Sequence, residues 1–317
     1  MKSVRFHEVG GPEVLVFEEV PDPRPATGEV LIRVEAVGLN FADVLRRRGD
    51  PYPEASPTPF TLGGEVAGTV EALGEGVAGP PVGTAVYCAC RTGGYAQFVA
   101  VPASDVIPLP AGLDPVQATA LVIQGLTAFL ALRDAGRLAA GEAVLVEAAA
   151  GGVGSFAVQL AKLSGAGPVI AAASTAEKRD VALGLGADAV VDYTDPAWAA
   201  AVRDLTGGPT LTRALAALAP FGRMVVYGLA SGETVTVDPQ VLTVPNQSVV
   251  GFYVGAYFRH RPDLVRTALA EIVGHVAAGR LELRIGTVLP LHRAAEAHRL
   301  IEGRRTTGKV VLRPWLV

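Results

Sequence analysis

The run Val144 to Gly154, VLVEAAAGGVG, joins a strand-like apolar segment to a glycine-rich turn that opens a helix. Such a turn lets backbone approach a pyrophosphate. Read as a variant of G-x-G-x-x-G, it places Ala149, Gly151 and Gly154 at the three small positions. Amide N–H groups at the start of the helix then face the phosphates. A second apolar strand, Val169 to Ala173, leads to Ser174, where a site for NAD would carry an acidic residue for the ribose 2′-hydroxyl. A hydroxyl there, with Lys178 and Arg179 behind it, suits a 2′-phosphate dianion that a carboxylate would repel. The pattern implies NADPH. Glycine turns alone are weak signals, and the context strengthens this one: a strand before it, a helix after it (Ser155 to Leu163), a second strand, and Lys178 opening the next helix. The rival reading of Lys178 and Arg179 is a solvated helix face.

Other residue types offer less chemistry. Cys88 and Cys90 are too close for an unstrained disulfide and too few for a structural zinc, so they read as strand residues. None of the five histidines has a partner at i+4 or in a C-x-x-C setting, and no metal site is expected. His260 and Arg261 read as a surface patch at a helix start. With 27 basic against 31 acidic residues and no densely basic window, electrostatics argue against a nucleic-acid partner. A chain that is 50% hydrophobic and 18% charged is not generally disordered. No run reaches about eighteen uninterrupted apolar residues, and Met1 to Glu8 reads as an edge strand rather than a signal peptide. The expected location is the cytoplasm, with no membrane partner.

The elements that must position these residues fall into two textures. Up to about residue 120, short β-type runs (Val30 to Val37, Glu65 to Ala72, Thr84 to Cys90, Tyr95 to Val101) alternate with Gly and Pro turns, which predicts a small irregular β barrel. From about Asp114 helices alternate with buried strands, as in a doubly wound parallel sheet. A helical pattern follows Arg261 as far as Gly279, and the tail Thr307 to Arg313 is a strand whose alternation lets it rejoin the first domain. The expected domains are 1–122 with 263–317, and 123–262.

The sheet has a defect. Strands are expected at Ala143–Ala148, Pro168–Ala173, Ala189–Asp192, Arg223–Gly228 and Ser248–Val254, but two helical stretches, Pro196–Leu205 and Thr210–Leu218, follow each other directly. In the strand order 3-2-1-4-5-6 the missing fourth strand would lie beside the first, which carries the phosphate turn. Its loss leaves buried backbone groups unpaired on both neighbours, at about 1–3 kcal/mol each. About a dozen residues are therefore expected to be absent near Gly207 to Pro209.

These residues resemble the medium-chain dehydrogenase/reductases, and within them the zinc-independent quinone oxidoreductase branch, similar to zeta-crystallin. The resemblance covers nearly the whole chain and rests on GPEVL at Gly11, VGLNFAD at Val37, GGEVAG at Gly63, GLTA at Gly125, AAAGGVG at Ala148, GAD at Gly186 and TGK at Thr307. It implies an α/β fold, a GroES-like β-barrel domain plus a Rossmann domain. A family strand of the type G-V-D-V-V-x-D, expected before Gly208, is the one missing. Zinc-dependent members place a cysteine and a histidine where this chain has Asn40 and Gly64, and Glu65 alone cannot hold the ion.

The resemblance further implies that Asn40 reaches the nicotinamide or substrate while Asp43 orders its loop. It puts Thr127 near the nicotinamide, and Gly151, Gly152 and Val153 around the pyrophosphate. Ser174, Lys178 and Tyr193 would surround the 2′-phosphate and adenine, Gly228 and Phe252 the nicotinamide half, and Lys309 would come from the returning tail. Leu45 replaces a tyrosine common in relatives, leaving Tyr52 as the nearest phenol, with loop packing as its rival role. Asn40 also reads as a cap for a helix starting at Phe41, and Tyr193 as a plain strand-end aromatic. The implied activity is hydride transfer from NADPH to a quinone, helped by Asn40 and Tyr52 as donors, in a cleft walled by Phe41, Leu45 and Tyr253. Reduction of an enone or enal, and an NADPH-binding role without turnover, are the alternatives. A reductase cut from a larger assembly line is disfavoured by the complete first strand and the tail. A homodimer through the last strand of the sheet is expected.

Overall fold

The computed structural model describes residues 1–195, 197–198, 218–227 and 236–316. It divides into two units, Met1–Ile123 with Leu283–Val317, and Gln124–Glu282.

The first unit carries β1 (Lys2–Phe6), β2 (Val16–Glu19), β3 (Glu29–Leu39), β4 (Phe60–Thr61), β5 (Glu65–Leu73), β6 (Ala85–Ala89), β7 (Phe98–Pro102), β8 (Val106–Pro108), β14 (Ile285–Pro290) and β15 (Lys309–Arg313). It also carries the helices α1 (Phe41–Arg48) and α6 (Ala294–Glu302). A larger sheet runs β14-β15-β3-β5-β6-β8, with β7 also paired to β3. Strand β3 is its spine. Residues Val30, Ile32 and Val34 of β3 enter the core with Val66 and Val70 of β5 and with Val310 and Leu312 of β15. Register shifts between β3 and β5, at Leu31/Ile32 and Val34/Ala36, bend the sheet toward a barrel. The tail strand β15 rejoins the barrel as expected, parallel to β14 and antiparallel to β3.

The N-terminal strand departs from expectation. Strand β1 is no edge: it lies between β2 and β4. Its charged side chains pair across to β2, Lys2 with Glu19 at 3.0 Å and Arg5 with Glu18 at 2.6 Å.

The second unit holds the parallel strands β9 (Val144–Glu147), β10 (Val169–Ala173), β11 (Ala189–Asp192), β12 (Arg223–Val226) and β13 (Ser248–Gly251), with helices α2 (Gly152–Leu163), α3 (Ala176–Gly184), α4 (Val254–His260) and α5 (Pro262–Ala277). The order is β11-β10-β9 in one sheet and β12-β13 in another, the 3-2-1 and 5-6 of the doubly wound order. Among the described residues no ladder joins β9 to β12. The stretch Gly207 to Pro209, where a strand-length segment is expected to be missing, lies outside the described residues.

Strand β13 stops at Gly251, and Val254, expected in the strand, opens α4 after Tyr253 in extended backbone. The Phe252 and Tyr257 rings lie 5.1 Å apart, a contact that helical rather than extended backbone after Tyr253 provides, overriding the β preference of Val254. The second crossover follows Glu282 rather than residue 262, so α5 belongs with this unit. It buries Val265, Ala268, Leu269 and Ile272, and its Glu271 pairs with Arg133 at 3.1 Å. One helical stretch among the described residues, Pro115–Ala135, is long and apolar enough to cross a membrane; most of it is buried, as in a core helix.

Candidate functional site

Helix α2 begins earlier than its apolar pattern suggested, directly on the glycine turn, with Gly151 as its cap. Gly152 and Val153 are thus the first helical residues, whose N–H groups have no partner within the helix. A Cβ on Gly154 would lie 2.3 Å from the Ala148 carbonyl oxygen and 2.7 Å from Ala149 Cα, so only glycine fits where helix and strand close up. A Cβ on Gly152 would strike the Gln124 side chain at 2.2 Å. Ala148 itself adopts φ +50, a left-handed conformation that its residue type does not advertise. Sequence reasoning missed it. The geometry is a cradle of bare backbone at a helix N-terminus, a fit for pyrophosphate.

At the end of β10, Ser174 is half-buried and Thr175 caps α3, accepting the Lys178 N–H at 3.3 Å. Arg179 turns aside. Its guanidinium donates to Asp192 Oδ2 at 2.6 Å and to the Ala173 carbonyl at 3.3 Å. It thus neutralises the carboxylate that closes β11, beside Ala173 in the ladder. Tyr193 packs partly buried against Ile170, Ala172, Val191 and Trp198. Thr127 is buried in the helix Leu126–Leu130, and Phe252 is buried with its N–H on the Val226 carbonyl at 2.9 Å. Gly228 lies outside the described residues.

The first unit gathers a second constellation. Asn40, following β3, caps α1, and the Asn40 backbone N–H donates to Asp43 Oδ2 at 2.9 Å. The other oxygen of Asp43 accepts the Gly63 N–H at 3.1 Å, so one carboxylate ties the head of α1 to the residues before β5. Burial raises the Asp43 pKa to about 6. Asn40 Nδ2 donates to Glu65 Oε1 at 2.7 Å, and Asn40 Oδ1 accepts from Lys309 Nζ at 3.0 Å. Lys309 also pairs directly with Glu65, both fully buried, and the second oxygen of Glu65 accepts the Ile123 N–H at 2.8 Å. Asn40 therefore caps α1 with its backbone and bonds Glu65 and Lys309 with its side chain. The resemblance put Lys309 at the cofactor; its ammonium is committed to Glu65 and Asn40. The sequence offers Glu65 chemistry only as an insufficient zinc ligand, and the motif Gly63-Gly64-Glu65 is the available signal for its place here.

Tyr52 is half-buried with its ring 5.1 Å from the Arg46 guanidinium. Arg46 in turn bonds Ser56 Oγ at 2.8 Å and the Ala55 carbonyl at 3.1 Å, which places Tyr52 on an organised loop. Behind α1, Arg47 is fully buried and paired with Glu302 of α6, while Tyr95 Oη meets His298 Nε2 at 3.1 Å.

Known proteins carry both kinds of unit. Residues 26–111 match the alcohol dehydrogenase GroES-like domain, and residues 152–273 match the zinc-binding dehydrogenase family. A quinone oxidoreductase of Pseudomonas aeruginosa is 35% identical over 326 residues, covering 99% of both chains. That span exceeds the 317 residues here, so the relative carries residues with no counterpart in this chain. A 2-haloacrylate reductase of a Burkholderia species is 35% identical over 335 residues, covering 98% of each. The structure of Escherichia coli quinone oxidoreductase complexed with NADPH superposes with a TM-score of 0.91 at 31% identity, over 99% of this chain and 100% of that one.

Proposed function

The chain belongs to the quinone oxidoreductases of the medium-chain dehydrogenase/reductase superfamily, and from that premise we propose that it transfers hydride from NADPH to a quinone without a metal. The observation that carries the metal-free reading is the buried Asn40–Glu65–Lys309 cluster. Zinc does not fit this donor set. The ligand positions of zinc-dependent members hold Asn40 and Gly64, and Glu65 is already bound by an ammonium and an amide N–H. A second cation there would face the Lys309 charge directly.

NADPH, when bound, supplies the hydride. Gly151, Gly152 and Val153 hold its pyrophosphate, and Ser174 and Lys178 hold its 2′-phosphate, with Tyr193 toward the adenine and Thr127, Gly228 and Phe252 toward the nicotinamide. Hydride addition to a quinone forms an aromatic ring that stabilises the hydroquinone anion, and this anion takes its proton from solvent, so the protein needs no strong acid. Its task is to position the acceptor and stabilise the developing oxyanion. Asn40 Nδ2 and the Tyr52 hydroxyl are the donors for that oxygen. Asp43, fastened to two backbone N–H groups, orders the loop rather than delivering a proton. The chain acts as a homodimer, pairing along the outer strand β13; light scattering coupled to size exclusion reads this, and a monomer at micromolar concentration would refute it.

Steady-state oxidation of NADPH and NADH by chelator-treated protein, with benzoquinone, naphthoquinone and simple enones as acceptors, tests the activity. NADPH-selective turnover with quinones is expected. The 2-haloacrylate reductase likeness favours one alternative, reduction of an activated carbon–carbon double bond, and turnover with enones alone would select it. Tight NADPH binding with silence toward every acceptor would leave a binding role.

A further inference from the structure

Lys309 and Glu65 sit at the first positions of their strands, on either side of the residue that ends β3. The ladders set them there: Val310 pairs with Leu39, and Val66 with Val37. Room for the pair comes from Gly38, where a Cβ would lie 2.5 Å from Glu65 Oε1 and 2.6 Å from Lys309 Cε. A glycine, a buried cation and a buried anion from three strands thus converge on one amide, Asn40.

The two charges leave that amide a single orientation. An ammonium only donates and an ionised carboxylate only accepts. Lys309 therefore takes the Asn40 oxygen and Glu65 takes one hydrogen of Nδ2. A flipped amide would set oxygen against carboxylate and NH2 against ammonium. Among the described residues the remaining hydrogen of Nδ2 meets only the Gly38 carbonyl, at 3.5 Å, the far limit of a hydrogen bond. Asn40 retains about 8% exposure, while Lys309 and Glu65 have none, so only Asn40 can meet a substrate.

We propose that Lys309 and Glu65 are positioning residues that fix the Asn40 amide with its nitrogen as the donor offered to the acceptor's oxygen. This rests on the reading of Asn40 as the oxyanion donor. Charge is used here for direction: a neutral pair could hold the barrel closed equally well but would let the amide turn.

The test is the charge-free double variant Glu65→Gln/Lys309→Met beside Asn40→Ala. The double variant should keep the wild-type melting temperature and NADPH Kd, measured by nicotinamide fluorescence. Its kcat should fall about 100-fold, the loss typical of one oxyanion donor, with KM for the acceptor little changed and kcat close to that of Asn40→Ala. A folded double variant with wild-type kcat overturns the proposal. An independent measurement covers a variant that does not fold: in the wild type, amide NMR should show one Asn40 side-chain hydrogen protected from exchange and its geminal partner exchanging freely, and equal exchange of both overturns the proposal. If the wild type reduces no acceptor, the reading of the function fails instead, and the NMR result still decides the geometry.

Discussion

Asp43 carries a carboxylate where water does not reach. Burial lifts its pKa from 3.8 to about 6, against the pull of the Asn40 and Gly63 N–H groups that it accepts. A folded-state value above the unfolded one means that the folded protein holds the proton more tightly. The resulting stabilisation is fully present below about pH 3.8 and is lost as pH rises through about 6, up to ~3 kcal/mol at 1.36 kcal/mol per unit. Asparagine at this position does not titrate. In urea unfolding, the stability of the wild type relative to Asp43→Asn should fall by up to that amount between about pH 4 and pH 7. A difference that does not change with pH would contradict the burial account. At Ser174 the expectation concerns the cofactor. Ser174→Asp should weaken NADPH binding at least about tenfold, ~1.4 kcal/mol of repulsion, without weakening NADH, as read by fluorescence titration; equal losses for both would remove the phosphate from this position. Ser174 was legible as an expectation, because one residue type at one offset decides between a hydroxyl and a phosphate. The Lys309–Glu65 pair was not, since its members stand 244 residues apart and only the folded ladders make them neighbours.

At the level of elements, the chain announces what its backbone demands locally. The turn before α2 needs small residues, and the Ala148 oxygen explains why Gly154 is one of them. Gly154→Ala would push the helix off its strand, costing about 1–3 kcal/mol as other overpacked sites do. NADPH affinity should fall at least tenfold because the helix N-terminus moves away from the pyrophosphate. Gly184→Ala is the control: it lies in α3 with nothing within 4 Å of its new methyl, and it should be neutral or stabilising by up to ~1 kcal/mol. If the two variants bind NADPH equally well, the turn does not hold the pyrophosphate. Elements defined by such local needs, β3, β5, β9 to β11 and β15, were readable from pattern. The central place of β1 was not, because it depends on the pairing of Arg5 and Phe6 with Thr61 and Phe60 of β4, far away in sequence. Nor was the change from strand to helix at Val254, where tertiary packing of Phe252 on Tyr257 outweighs local preference.

For the whole molecule, the decisive feature is the parallel sheet in two pieces. Strand β9 carries the phosphate turn, yet among the described residues its ladder runs only to β10, and β12 pairs only with β13. Their leading ends are linked by side chains instead: the Arg223 guanidinium reaches Glu142, just before β9, at 3.0 Å through Nη1, and the Gly136 carbonyl at 2.6 Å. An alignment with the Pseudomonas relative that is longer than this chain fits a missing segment. Inserting about a dozen residues of the type G-V-D-V-V-x-D before Gly208 should therefore supply a strand that pairs with both β9 and β12. At ~1 kcal/mol for each recovered hydrogen bond, and about 2–4 °C per kcal/mol for a unit of this size, calorimetry should record a rise in Tm of at least about 10 °C. An equally long Gly/Ser insertion, which cannot replace the buried valines, should give none. NADPH should also bind more tightly to the strand-bearing variant, because the turn at Ala148 would gain a neighbour on its open side. Equal Tm values for the two insertions would mean that β9 and β12 need no strand between them, and the missing-strand reading would fall with that result.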